Sequence, residues 1–155
     1  MTRITLSLGF AAIALMPLGA LAEDQHMVTQ VNAIKWAAAP PSLPKGVQIA
    51  VLAGDPSKEG PFVYRLKFPS GYKVPPHMHP NDENVTVISG TVNIGTGDKL
   101  DPKKTEPVKA GGFFHMPKGM HHFGWTNQET VVQASGVGPI GVTYINPADD
   151  PRNAK

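Results

Sequence analysis

The chain has 155 residues, which is the size of a single domain. Its 14 basic and 12 acidic residues leave a formal net charge of +2, a balance that predicts neither a nucleic-acid nor a membrane partner. The absence of cysteine excludes disulfides, thiolate metal ligands and cysteine nucleophiles, so stability must come from a core, for which hydrophobic residues at 41% suffice.

Residues 1–22 have the pattern of a secretory signal peptide. Arg3 precedes an apolar run that closes on Ala20-Leu21-Ala22, a small-x-small cleavage pattern. A membrane anchor is the alternative, but the run is shorter than about 20 apolar residues and is interrupted by glycine and proline. We therefore expect cleavage after Ala22, a periplasmic or secreted mature protein, and no membrane attachment after cleavage.

Residues 23–44 predict an N-terminal arm ahead of the folded domain. Val28, Val31 and Ile34 are loosely spaced, as in a helix or an extended arm, and the proline-rich sequence 39–44 then ends any helix. We expect this arm, which includes Trp36, to be a packing segment.

Residues 45–146 predict short strands separated by turns, which the 16 glycines and 16 prolines can supply. In residues 62–68, Tyr64, Leu66 and Phe68 alternate with polar neighbours, as expected for a half-buried strand. Further strands are predicted over residues 48–52, 91–94, 113–116, 121–125, 130–135 and 141–145. This pattern is typical of an all-β sandwich or barrel. Polar residues 95–104 predict a solvated loop, and residues 147–155 an exposed C-terminal tail.

The strongest functional signal lies between Gly71 and Gly90. His77 and His79 leave a strand on the same face, roughly 7 Å apart at their Cα atoms, so both imidazoles can converge on one ion. The turn residues that follow can bring Glu83 onto a neighbouring strand with its carboxylate facing the same point. A third imidazole, available in residues 111–123, would complete a site of three nitrogens and one oxygen.

Both segments resemble the two signatures of the cupin superfamily. The first signature is glycine, five residues, His-x-His, three residues, glutamate, six residues and glycine, and it is matched at Gly71, His77, His79, Glu83 and Gly90. The second is glycine, five residues, Pro-x-Gly, two residues and histidine, and it is matched at Gly111, Pro117, Gly119 and His122. This count selects His122 rather than His121 as the ligand. Thr126 stands where the signature often has asparagine.

The resemblance implies a single double-stranded β-helix, a jelly-roll (cupin) barrel whose ligands occupy inward-facing positions. It also implies one divalent transition metal (Fe, Mn, Ni, Co, Cu or Zn) held by three histidines and one glutamate, namely His77, His79, Glu83 and His122. Jelly-roll barrels leave sheet edges that need covering, and cupins commonly pair their barrels, so we expect a homodimer.

Three functions fit this resemblance. The first is a metal-dependent dioxygenase acting on a small chelating substrate such as an enol or catechol. The second is a metal-dependent isomerase, lyase or decarboxylase. The third is a non-catalytic cupin that binds a metal or a small molecule, as the zinc-binding cupin domain of certain anti-sigma factors does.

We favour the dioxygenase because the ligand set is complete and the candidate pocket residues are aromatic, namely Tyr64, Phe68, Phe113 and Trp125. A lyase or isomerase would need a general base, for which His115 and Tyr64 are the candidates. His121 neighbours a ligand on a strand and is expected to point the opposite way, towards the surface.

Overall fold

The computed structural model of the protein describes residues 27–154. The expected signal peptide lies outside the described residues, so cleavage after Ala22 and the periplasmic or secreted location stay predictions. The described chain has eleven strands: β1 (Ala37–Ala38), β2 (Gln48–Ala53), β3 (Gly60–Phe68), β4 (Lys73–Met78), β5 (Glu83–Ser89), β6 (Thr91–Thr96), β7 (Glu106–Lys109), β8 (Phe113–Met116), β9 (His122–Trp125), β10 (Thr130–Gly138) and β11 (Thr143–Tyr144).

The strands form two antiparallel sheets that face each other as a cupin jelly roll, which confirms the predicted all-β fold class. The six-stranded sheet has the order β1-β2-β3-β10-β5-β8, and the five-stranded sheet has the order β11-β4-β9-β6-β7. Both sheets pair strands that are distant in sequence. In the six-stranded sheet, for example, β3 pairs with β10 over its whole length, from Phe68 opposite Thr130 to Gly60 opposite Gly138. The expected homodimer stays a prediction.

The core lies between the sheets because apolar residues alternate along the central strands. The burial of β3 alternates from Phe62 to Phe68, as the sequence predicts, and β5 buries Val85 and Val87 on the face that also carries Glu83. β7, which the sequence pattern does not predict, pairs with β6 and forms one edge of the five-stranded sheet.

The helical segments of residues 27–154 are short 3₁₀ turns, at Val31–Ala33, Pro102–Lys104, Pro147–Asp149 and Pro151–Asn153. No helix in this part of the chain is long and apolar enough to cross a membrane. The described part of the N-terminal arm packs on its own barrel, since β1 pairs with β2 and Lys67 Nζ lies 4.4 Å from the centre of the Trp36 ring. The division into arm, barrel and tail stays a prediction.

Candidate metal centre and ligand cavity

Three histidines meet inside the barrel, at the five-stranded sheet. His77 on β4 is directly opposite His122 on β9 in the antiparallel register, and His79 follows two residues after His77. The ring centroids of His77 and His122 are 4.2 Å apart, and the His79 ring lies 5.0 Å from His77 and 5.1 Å from His122. Each residue offers one ligand atom within 4.8 Å of the other two, so a small rotation of the side chains would bring all three onto one ion.

Backbone carbonyls hold the outer nitrogen of each of these rings. Nδ1 of His77 faces the carbonyl of Pro75 at 2.7 Å, Nδ1 of His79 faces that of Gly141 at 2.6 Å, and Nδ1 of His122 faces that of Met120 at 2.9 Å. A carbonyl only accepts hydrogen bonds, so each Nδ1 carries the proton and donates it. In this tautomer Nε2 keeps its lone pair, which is how metal-bound histidines are oriented in proteins.

Burial keeps two of the three rings neutral. Burial, together with the neighbouring His122 and His79, lowers the pKa of His77 to about 3. Burial also lowers the pKa of His122. Both imidazoles are therefore uncharged near neutral pH and available as ligands without first losing a proton.

Glu83 and His79 form a buried pair beside the other two histidines. Burial by itself opposes charge on both groups, but Glu83 Oε2 lies 3.4 Å from His79 Nε2, and this contact raises the pKa of His79 and lowers that of Glu83. The Tyr64 hydroxyl donates to Glu83 Oε1 across 3.4 Å. Burial, followed by the charge of Glu83, raises the pKa of Tyr64 well above its usual value, so this phenol remains a donor.

Affinity for a metal ion should rise with pH while His79 is still protonated, because the ion must displace the proton that Glu83 helps to retain. His77 and His122 should release no protons when the ion binds near neutral pH, since their pKa values are lowered. Calorimetric zinc titrations over roughly pH 5 to 8, in buffers of different ionisation enthalpy, count the protons released. The shape-matched Glu83→Gln variant should release fewer protons on zinc binding than the wild type. A zinc affinity that does not change over this pH range would contradict the expectation.

A cavity of about 320 Å³ extends from the histidines into the barrel. Its walls are mostly aliphatic and aromatic, and they include residues from both sheets, among them Tyr64, Leu66, Phe68, Val74, Val85, Ile94 and Phe114. Among residues 27–154, the ionisable groups that line the cavity are Glu83, the three histidines, Tyr64 and Tyr72. No lysine or arginine from this part of the chain lines it. The cavity is therefore suited to a small ligand with an uncharged, apolar body.

The structure separates two of the predicted pocket residues from the cavity. His115 pairs with Asn84, which alternates with Glu83 and so points out of the barrel, and its Nδ1 contacts Asn84 Oδ1 at 2.9 Å on the exposed face. The expectation that His115 acts as an acid or base in the pocket is therefore wrong. Phe113 is on the same outer face and is 59% exposed, so it is not a pocket aromatic either.

Tyr64, Phe68 and Trp125 are all among the residues that line the cavity, as predicted. Strand alternation places Trp125 on the same face of β9 as Phe123, opposite His122 and Gly124. His121 lies towards the surface, as expected, with Nδ1 2.6 Å from an Asp98 carboxylate oxygen. Thr126, which replaces the usual asparagine, is buried, and its hydroxyl donates to the Pro69 carbonyl at 2.9 Å.

Sequence reasoning missed two tyrosines next to this site. Tyr72 and Tyr144 are buried. Tyr72 lines the cavity and donates to the Pro44 carbonyl, and Tyr144 donates to the Ser42 carbonyl. Burial raises the pKa of Tyr72 above its usual value and that of Tyr144 to about 12, so both hydroxyls are donors. Tyr72 precedes β4 and Tyr144 ends the two-residue β11, and neither position in the sequence indicates where the hydroxyl bonds.

The fold and the histidine cluster define a cupin with a potential metal site. The family described as the ChrR cupin-like domain matches residues 24–140, which is most of the chain. The protein therefore belongs to the ChrR cupin-like domain family.

Curated relatives include plant germin-like proteins. Germin-like protein subfamily 1 member 1 of Arabidopsis thaliana is 37% identical over 84 residues, which cover 54% of this chain and 37% of the relative. Germin-like protein 5-1 of Oryza sativa subsp. japonica is 34% identical over 67 residues, covering 43% of this chain and 30% of the relative. The chain thus spans well under half the length of these relatives.

Solved structures with the same fold have low sequence identity. The polyketide cyclase RemF of Streptomyces resistomycificus superposes with a TM-score of 0.69 at 18% identity, covering 82% of this chain and 90% of RemF. A protein of Methylibium petroleiphilum assigned as an acetylacetone dioxygenase has a TM-score of 0.62 at 15% identity, covering 84% and 88% of the two chains. An oxalate oxidase has a TM-score of 0.55 at 23% identity, covering 83% and 68%. At these identities the likeness shows the fold alone.

Proposed function

We propose that the protein is an exported cupin that binds one divalent transition metal through His77, His79, His122 and Glu83. We further propose that it acts as a dioxygenase on a small chelating substrate. The observation that carries the proposal is the convergence of three histidines, each with Nδ1 bound to a carbonyl, at the wall of an apolar cavity.

Glu83 is proposed as the fourth ligand because of its position and its burial. Ligand atoms that are adjacent on an ion with bonds near 2.1 Å are about 3 Å apart, and Glu83 Oε2 lies 3.4 Å from His79 Nε2. A buried carboxylate needs partners that compensate its charge, and an ion between Glu83 and the histidines would supply one. The Tyr64 hydroxyl on the other oxygen would fix the orientation of the carboxylate.

A redox-active ion at this site would supply electron exchange with dioxygen and about two open positions for a chelating substrate. The residues of the chain have the remaining tasks. The apolar wall of the cavity excludes water and binds the body of the substrate, while the three carbonyls and Tyr64 hold the metal-binding side chains in place. No lysine or arginine of residues 27–154 lines the cavity to compensate a dicarboxylate, which favours a neutral enol or catechol over a substrate of high charge.

The competing isomerase, lyase or decarboxylase is disfavoured by the missing general base. His115 faces outward, and Tyr64 donates to Glu83 and has a raised pKa, which makes it a poor base. The second candidate is therefore the non-catalytic cupin that binds a small molecule or a metal. The unsuitability of both predicted general bases favours it, since binding needs none.

Oxygen uptake distinguishes these functions. Elemental analysis of the purified protein should find a redox-active metal, and addition of a catechol or a 1,3-diketone should start oxygen consumption in proportion to product. Protein reloaded with zinc, which is redox-inert, is the matched control and should consume no oxygen. Turnover that continues without oxygen in the zinc protein would instead favour the lyase or isomerase. Ligand binding without turnover in either form would favour the binding protein.

A further inference from the structure

A short piece of the N-terminal arm forms one side of the cavity. This wall segment, Pro40–Pro44, contributes Pro40, Ser42 and Leu43 to the lining. Its residues are also partly or fully exposed to solvent, so a single layer of chain separates the cavity from the outside at this point. Leu43 additionally packs against the buried core cluster, which places its side chain on the inner side of the segment.

Side-chain hydrogen bonds from the barrel hold the wall segment in place. The Tyr144 hydroxyl donates to the Ser42 carbonyl at 2.9 Å, and the Tyr72 hydroxyl donates to the Pro44 carbonyl. Just before the segment, Ala39 N donates to the Val47 carbonyl at 3.2 Å. The rest of the cavity wall consists mainly of strands, whose spacing is set by their ladder hydrogen bonds.

The wall segment is also connected to the metal centre. The Tyr144 ring lies 6.0 Å from the His77 ring, measured between centroids, while its hydroxyl bonds to Ser42. A shift of the wall segment would therefore alter the packing on one side of the histidine cluster.

We propose that the wall segment determines the size of substrate that the cavity accepts, with Leu43 as the contacting side chain and with Tyr72 and Tyr144 as positioning residues. This inference rests on the proposed function, because it takes the cavity as the substrate site. A methylene group added to or removed from an apolar pocket changes selectivity by about 10- to 200-fold, so one leucine in the wall is enough to rank substrates by size.

Binding of chelating probes to zinc-loaded protein tests this, because zinc prevents oxidative turnover. The probes are acetylacetone, benzoylacetone and dibenzoylmethane, which share a chelating head and differ in the size of the body. Leu43→Ala should raise the affinity for dibenzoylmethane relative to acetylacetone by about tenfold or more, and Leu43→Trp should lower the same ratio. Val51→Ala is the matched control, since Val51 is half-exposed and outside the cavity lining. In this variant the ratio of the affinities for dibenzoylmethane and acetylacetone should equal that of the wild type.

Tyr144→Phe tests the positioning role because it keeps the ring beside His77 and removes only the hydrogen bond to Ser42. We expect unchanged zinc content and a smaller difference in affinity between large and small probes. Loss of zinc, or an equal loss of affinity for all three probes, would overturn the positioning role of Tyr144.

A second readout does not depend on the metal. The fluorescence of 1-aminoanthracene in metal-free protein should report tighter binding in Leu43→Ala and weaker binding in Leu43→Trp than in the wild type. An unchanged size ranking in both Leu43 variants, or the failure of the wild type to bind any of these probes, would overturn the inference. A changed ranking without oxygen uptake by the native-metal protein would support the wall inference and reject the dioxygenase.

Discussion

Replacement of His77, His79, His122 or Glu83 by alanine should lower metal affinity far more than replacement of an outer-shell partner, which typically costs about 10- to 100-fold. Each histidine supplies one of the three converging ring nitrogens. Its removal leaves an incomplete ligand set at the wall of a largely apolar cavity. Elemental analysis of each purified variant should therefore show a metal content well below one ion per chain.

His121→Ala is the control for these variants. His121 is adjacent to a proposed ligand, but its ring lies towards the surface beside Asp98. This variant should keep its metal. A histidine variant that retains one ion per chain would remove that residue from the site, and full retention in Glu83→Ala would limit the ligand set to the three histidines.

Phe123→Ala should lower the free energy of unfolding by about 3–5 kcal/mol, the range for large-to-small changes at fully buried aromatic positions. Phe123 is 0% exposed, although it lies on the face of β9 opposite His122. Its ring lies over Gly95, where even a Cβ atom would come within 2.6 Å of the ring, and the Lys104 carbonyl is close to the same point. Removal of the ring would therefore leave a cavity between β9 and the chain that covers it.

Chemical denaturation of Phe123→Ala and Phe113→Ala compares the loss of stability from the same substitution at a buried and at an exposed site. Phe113 is 59% exposed, so its replacement should change stability by no more than about 0.5 kcal/mol. Similar losses in the two variants would contradict the expectation that the burial of Phe123 determines its contribution to stability. Metal content should be unchanged in Phe113→Ala.

Local sequence patterns predicted most of the strands correctly. Alternation in residues 62–68 identified the inward face of β3, because a half-buried strand must repeat with a period of two. The predicted strand over 113–116 coincides with β8. β7 was missed because its apolar content is low, and its pairing with β6 stabilises it at the sheet edge.

The outward position of His115 could not be read from local sequence. The strand was predicted correctly, but the face on which His115 lies depends on its pairing with Asn84, 31 residues earlier in the chain. A strand of four residues with a mixed pattern does not reveal its own buried face, and a shift of one residue in register exchanges the two faces.

Periods and intervals along the chain are enough to predict the all-β fold class, most of the strands and the spacing of His77, His79, Glu83 and His122. They do not predict which carbonyls orient the three rings or which segment closes the cavity, because these depend on tertiary contacts. The carbonyl of Gly141 reaches His79 from 62 residues away, and Ser42 accepts from a tyrosine 102 residues away. Such contacts leave no periodic signal in the sequence, because they depend on how two sheets place distant backbone groups side by side.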